Sequence, residues 1–293
     1  MSILVNKDTR VLVQGITGTQ ASFHIRRSVD SGTNVVGGVT PGKGGITYMD
    51  VPVFNTVKEA VKETQANASV MFVPAKAVKS ALKEAADAGL ELVVCIADGV
   101  PIKDMMEIKN ILKSSQTKFI GPNTPGIITP GEARLGIFPE NILKKGKIGI
   151  VSRSSTLTYE AVLETNRAEL GQSTVIGLGD DMVIGIDFVE TLKLFMDDDE
   201  TDAVILIGQL GGAFEELGAK YYESLRHRKP VISFVAGNAV PFGHKMGYAG
   251  DIIAQGKVTA EDKKEVMRQS GMIVVDEINR IHEELLKIFG SNE

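Results

Sequence analysis

The chain has 293 residues, 43% hydrophobic and 24% charged, which suits two ordinary domains with real cores and disfavours disorder. A net charge of −5 leaves no basic excess to displace counterions, so a nucleic-acid partner is not expected. No apolar run approaches the ~20 residues that span a bilayer, and the chain becomes charged by Lys7 and Asp8, too early for a secretory signal. No membrane partner is therefore expected. The one cysteine, Cys95, has no internal disulfide partner and lies in the apolar run 92–96. It reads as a buried thiol in a reducing compartment, most simply the cytoplasm.

Short β-branched runs alternate with amphipathic stretches, the pattern of a parallel sheet with crossover helices. Strands are predicted at 10–14, 34–39, 69–73, 90–96 and 118–121, with helices at 56–64, 75–88 and 102–115. A Pro- and Gly-rich stretch follows, from Gly121-Pro122-Asn123-Thr124-Pro125-Gly126 through Pro130-Gly131 to Lys144-Lys145-Gly146, with one short strand near 135–138. The pattern then restarts with strands at 147–151, 173–178, 202–207, 230–236 and 272–275 and helices at 187–196, 213–226 and 261–269. A last amphipathic helix is expected over 276–289. This places a first domain at 1–125, a linker at 126–146 and a second domain at 147–293. The acidic run Asp197-Asp198-Asp199-Glu200 reads as a solvated turn at a helix end.

Val11-Leu12-Val13-Gln14-Gly15-Ile16-Thr17-Gly18-Thr19-Gln20 is an apolar strand entering a Gly turn and then a helix. Such a turn aims backbone N–H groups at an anion, and the helix dipole adds partial positive charge. The spacing is Gly-x-x-Gly rather than the Gly-x-Gly-x-x-Gly of dinucleotide sites. The second strand also ends without the acidic residue that binds a ribose diol. Thr40-Pro41-Gly42-Lys43-Gly44-Gly45 stands there instead, and a lysine on a Gly-rich loop suits an additional phosphate. Hydride transfer from NAD is disfavoured; a ligand with phosphates at both ends is favoured.

These motifs, together with Val151-Ser152-Arg153-Ser154-Ser155-Thr156-Leu157-Thr158-Tyr159-Glu160, resemble the α subunit of succinyl-CoA synthetase, the ADP- or GDP-forming succinate–CoA ligase. The resemblance implies an α/β fold, with an N-terminal Rossmann-like CoA-binding domain followed by a flavodoxin-like ligase domain. It implies that Thr17, Gly18, Thr19, Gln20 and Lys43 contact CoA and that Ile96, Ala97 and Asp98 lie along the cofactor. Asn123 would face the thioester and substrate region, and Tyr159 the substrate site shared with the β subunit. Nucleotide binding (ATP or GTP with Mg) belongs to a separate ATP-grasp β subunit in an αβ or α2β2 assembly. This chain accordingly has no Gly-x-x-x-x-Gly-Lys-Ser/Thr loop. In that family a nucleoside triphosphate phosphorylates a histidine, the phosphoryl group moves to the carboxylate, and the CoA thiolate attacks the acyl phosphate.

Four departures from the family pattern fall in one functional unit. Met-Gly-His-Ala-Gly is here Met246-Gly247-Tyr248-Ala249-Gly250, so Tyr248 stands where the phosphohistidine is expected. The glutamate that orients that histidine is Gln209. Gly-x-Gly-Gly-Asp-Pro becomes Gly177-Leu178-Gly179-Asp180-Asp181-Met182, and Ser-Arg-Ser-Gly-Thr becomes Ser152-Arg153-Ser154-Ser155-Thr156. Ser154, Ser155 and Asp180 thus mark an altered phosphate site. A phosphotyrosine ester is too stable to pass its phosphoryl group back and forth. His244, four residues before Tyr248, is the candidate for a displaced nucleophile, although Gln209 would leave it without a carboxylate. His24, His227 and His282 read as surface or packing residues, and no pair of histidines has metal-ligand spacing, so no metal site is expected. Two functions remain open: a ligase α subunit with an altered or bypassed phosphohistidine step, and a non-catalytic CoA- or acyl-CoA-binding subunit that regulates or scaffolds a β-like partner.

Overall fold

The side chains of Val11, Leu12 and Val13 offer water nothing to bond, and all three are buried in the central strand of a largely parallel sheet. The computed structural model describes residues 2–237 and 259–290, which fall into two units. One holds Leu4–Phe138 with Val183–Ile186; the other holds, among the described residues, 2–3, Pro139–Met182, 187–237 and 259–290.

The first unit runs β1 (Arg10–Gln14), α1 (Thr19–Asp30), β2 (Asn34–Val39), β3 (Thr47–Tyr48), β4 (Val51–Phe54), α2 (Val57–Thr64), β5 (Ala68–Met71), α3 (Val78–Asp87), β6 (Leu92–Cys95), α4 (Ile102–Lys113) and β7 (Lys118–Ile120). A hairpin of β8 (Gly126–Thr129) and β9 (Ala133–Gly136) follows. The sheet order is β3-β4-β2-β1-β5-β6-β7, parallel except for the β3–β4 pair. Without β3 this is the 3-2-1-4-5-6 order of the Rossmann fold. Helices cover it through stripes such as Val78, Leu82 and Ala85 on α3, spaced at one helical face and fully buried. A fully buried Val or Leu side chain contributes about 1.5–3 kcal/mol, and the single methyl of Ala85 about 0.8 kcal/mol. Cys95 is fully buried in β6.

The second unit runs β10 (Lys145–Ser152), α5 (Ser155–Arg167), β11 (Gln172–Gly177), α6 (Phe188–Asp197), β12 (Ala203–Gly208), α7 (Phe214–Ser224), β13 (Val231–Val235), α8 (Ala260–Gln269), β14 (Ile273–Val274) and α9 (Ile281–Phe289). Its five strands are parallel in the order β14-β13-β12-β10-β11. Counted within the unit this is 2-1-3-4-5, the flavodoxin-like order. Every residue of β12 is buried, as a central parallel strand covered on both faces requires.

Three strands were not legible: β3, β4 and β8. The first has two residues, too few to show a period, the second contains Pro52, and the third is a short apolar run amid prolines. The last α-helix starts at Ile281, after a 3₁₀ turn at Ile278–Arg280. In the acidic turn Asp198 departs from the solvated reading: it is buried and accepts from the Thr201 hydroxyl at 2.6 Å. No helix among the described residues is long and apolar enough to cross a membrane.

Candidate functional site

Parallel α/β sheets bind ligands outside the carboxyl ends of their strands, where the strand order reverses. In the first unit that point lies between β1 and β5, and the turn after β1 is built for close backbone approach. Gly15 has φ +83°, and a Cβ there would come within 2.5 Å of the Phe72 carbonyl oxygen, so only glycine fits. Its N–H donates to Val39 O at 2.8 Å, and the Gly18 N–H donates to Gly15 O at 3.0 Å. Gly18 is the N-cap of α1, and no side chain caps that end. Thr19 and Gln20 open the helix with exposed side chains. The first N–H groups of α1 are thereby presented to an anion without a competing cap.

The Lys43 ammonium donates to the Thr17 hydroxyl at 3.2 Å, which places a cation at the mouth of the same turn. Its loop is held in shape by Asn55, whose Oδ1 accepts from the Gly42 and Gly44 N–H groups at 2.9 and 3.0 Å. The first turn of α1 is tied to β3 by Ser22 and Tyr48, whose hydroxyl oxygens lie 2.7 Å apart. Sequence reasoning missed Asn55, Ser22 and Tyr48. Ser22 lies on α1, Tyr48 closes the two-residue β3 and Asn55 follows β4, so no local pattern marked them.

The remaining candidates of this unit sit on the same edge. Ile96, Ala97 and Asp98 leave the end of β6, and Ala97 O accepts from the Asn123 N–H at 2.9 Å. Asn123 has φ +56° and is half-buried. His24 lies on α1 with its ring stacked on Phe72, centroids 6.0 Å apart. Its Nδ1 is buried without a hydrogen-bond partner. Burial lowers the imidazole pKa below its ordinary value, and the Arg134 and Arg27 charges lower it further.

In the second unit the order reverses between β10 and β12. Ser154 is the N-cap of α5, its hydroxyl accepting from the Leu157 N–H at 3.3 Å, and Ser155 is the first helical residue. Tyr159 is half-buried one turn further on. Arg153, 2% exposed, donates to Gly211 O at 2.9 Å and reaches Glu215 at 3.3 Å. Gln209 and Asp180, separate in sequence, meet: the Gln209 amide donates to Asp180 Oδ1, and both residues are buried. Tyr248 and His244 lie outside the described residues. Of the other histidines, His227 is exposed, and His282 Nδ1 lies 2.6 Å from Glu164 Oε2.

Comparison with known proteins fits this arrangement. Residues 6–99 match the family model of the CoA binding domain, and residues 151–273 match that of CoA-ligase. The chain is 52% identical over 290 residues to the succinate–CoA ligase [ADP-forming] subunit alpha of Aquifex aeolicus, covering 98% of this chain and 95% of that one. It is 50% identical to succinate–CoA ligase [ADP-forming] subunit alpha 2 of Archaeoglobus fulgidus, covering 92% and 94%. Among solved structures, ATP citrate lyase from Methanothrix soehngenii, in complex with citrate and coenzyme A, aligns with a TM-score of 0.86 at 22% identity over 99% of this chain. A dinucleotide-forming acetyl-coenzyme A synthetase 1 from Ca. Korarchaeum cryptofilum, in complex with phosphate and ADP, aligns with a TM-score of 0.73 at 19% identity over 94% of this chain. The chain spans 52% and 60% of those two longer proteins, and at such identity they speak for the fold alone. The near full-length identity to the curated subunits goes further, and on it the chain belongs to the succinate–CoA ligase α-subunit family.

Proposed function

We propose that the chain is the α subunit of an acyl-CoA ligase of the succinate–CoA ligase type. It binds CoA on its first unit and couples acyl-CoA formation to nucleotide cleavage with a separate ATP-grasp β subunit, and its phosphohistidine step is altered or lost. The observation that carries the CoA reading is the uncapped N-terminus of α1 behind Gly15, with Lys43 3.2 Å from Thr17. Backbone N–H groups, a helix dipole and one ammonium suit the anionic phosphates of CoA.

In this reading Thr17, Gly18, Thr19, Gln20 and Lys43 hold CoA, and the Ile96, Ala97 and Asp98 segment lies along it. Asn123 and Tyr159 serve the thioester and carboxylic-acid groups. Thioester formation requires an acyl phosphate, whose carbonyl the CoA thiolate attacks as phosphate leaves. Where relatives are expected to relay the phosphoryl group through histidine, Tyr248 offers a phenol whose phosphate ester is too stable to serve. Direct formation of the acyl phosphate on the nucleotide of the β subunit bypasses that relay.

The Gln209–Asp180 contact favours a second reading, a CoA-binding subunit that regulates or scaffolds a β-like partner without catalysis. In this reading the phosphate path is the one altered by Asp180, which is buried and bonded to Gln209, and the residue expected to steady an imidazolium is an uncharged amide. Calorimetry of CoA with the full chain, alone and with its co-purified ATP-grasp subunit, tests what both readings share. Saturable binding is expected; no binding in either preparation contradicts both. Acyl-CoA formation by the complex then separates the first reading from the second.

A further inference from the structure

β3 and β4 form a hairpin that returns the chain from the Lys43 loop to the edge of β2, with Tyr48 opposite Val51. Its turn is Met49-Asp50, at φ +52° and +62°. Both angles lie in the left-handed region, where Asn and Gly are usual and a methionine is strained. Tyr48, half-buried at the end of β3, meets α1 there: its hydroxyl oxygen lies 2.7 Å from that of Ser22.

The direction of that contact follows from the next one. A serine hydroxyl has one proton to give. Ser22 gives it to Gly18 O at 2.9 Å, because a carbonyl oxygen only accepts. The proton between the two hydroxyls is then the one from Tyr48, and donation runs from Tyr48 to Ser22 to Gly18. Gly18 O also takes the Ser22 N–H at 3.0 Å. That carbonyl belongs to the same peptide group as the N–H of Thr19, the first residue of α1. Hydrogen bonds in series polarise one another, so an amide whose oxygen is engaged becomes a better donor at its nitrogen.

We propose that Tyr48 is a positioning residue of the CoA site, acting through Ser22 and the Gly18 carbonyl on the Thr19 N–H. The relay holds the Gly18–Thr19 peptide in the orientation that presents this N–H to a phosphate, and it strengthens the N–H as a donor. It needs the hydroxyl of Tyr48 and not its ring, and it passes through Ser22 alone. This rests on the reading above that the N-terminus of α1 receives the phosphates of CoA.

The test is CoA calorimetry on the full-length chain, alone and with its co-purified ATP-grasp subunit. The variants are Tyr48→Phe, which removes only the hydroxyl, Ser22→Ala, Ser22→Thr, and Tyr48→Phe combined with Ser22→Ala. Tyr48→Phe and Ser22→Ala should each weaken CoA binding about fivefold, the scale of one neutral hydrogen bond. Ser22→Thr keeps a hydroxyl at that position and should bind as wild type does. The double variant should be no weaker than Ser22→Ala alone, because the phenol acts only through Ser22. In the free proteins the Thr19 amide proton resonance should move upfield in Tyr48→Phe, a readout that mere packing of the ring would not move. Undiminished affinity in Tyr48→Phe, penalties that multiply in the double variant, or an unmoved Thr19 resonance overturns the proposal. Wild type without CoA affinity in either preparation fails the cofactor reading and the relay together. Wild type that binds while Tyr48→Phe binds equally fails the relay alone.

Discussion

Lys263 Nζ lies 2.6 Å from Glu215 Oε2, and neither side chain is exposed to solvent. The same carboxylate takes Arg153 at 3.3 Å and the Gln209 N–H at 3.0 Å, while the Arg153 guanidinium sits over the Phe214 ring at 4.8 Å. One buried anion therefore joins the end of β10, the loop after β12, α7 and α8. Its energetics are asymmetric. Making such a pair from hydrated ions gains little, whereas removing one partner strands the other charge.

Glu215→Gln keeps the size of the side chain and leaves Lys263 and Arg153 without their shared counter-charge. Urea denaturation should show a loss of about 3–5 kcal/mol, the cost of breaking a buried ion pair. A loss below about 1 kcal/mol would mean that Glu216, 3.0 Å from Lys263, takes over the role.

Lys43→Ala should weaken CoA binding about tenfold in calorimetry, the scale of one charge-assisted hydrogen bond. The residue is exposed, so the fold should be untouched. Unchanged affinity would remove Lys43 from the CoA site.

His24 supplies a pH test. Its folded pKa lies below the ordinary value of 6.5, because burial and two arginines oppose a positive charge. As pH falls through 6.5 the unfolded chain takes up a proton that the folded chain refuses, so protonation favours unfolding. Above 6.5 the penalty is absent; it is complete only below the depressed folded pKa. The stability of wild type relative to His24→Phe should therefore decline on acidification below pH 6.5 and stay level above it. A difference independent of pH in denaturant titrations at several pH values would contradict the assignment.

Much of this molecule was legible because period and turn chemistry are local. The runs 10–14 and 34–39 were read as strands with the bounds the structure gives, and the Gly15 turn announced itself by spacing. Asn55 was not legible, since its service to the Gly42 and Gly44 amides depends on where β4 brings the chain back. The meeting of Gln209 and Asp180 was not legible either. Each stood out singly as a departure from a motif, but only the order β11-β10-β12 sets them face to face. Lys263 and Glu215 gave no signal at all, because charged residues on helices ordinarily face water.

The proposed loss of the phosphohistidine relay would leave the wild-type chain without an acid-labile phosphoryl group. It is tested most directly by acid-labile labelling from γ-labelled nucleotide in the complex with the ATP-grasp subunit. Wild type, Tyr248→His, and the triple change Tyr248→His with Gln209→Glu and Asp180→Gly are compared side by side. Two unit charges at ~5 Å and an effective dielectric of ~20 repel by about 3 kcal/mol, so Asp180 should still oppose a phosphoryl group in the single variant. Gln209 would also leave the new imidazolium without a carboxylate. Wild type should remain unlabelled, the single variant should label weakly, and the triple variant should label far more strongly. Strong acid-labile labelling of wild type, mapped to His244, would show that the nucleophile has moved rather than vanished and would contradict the claim.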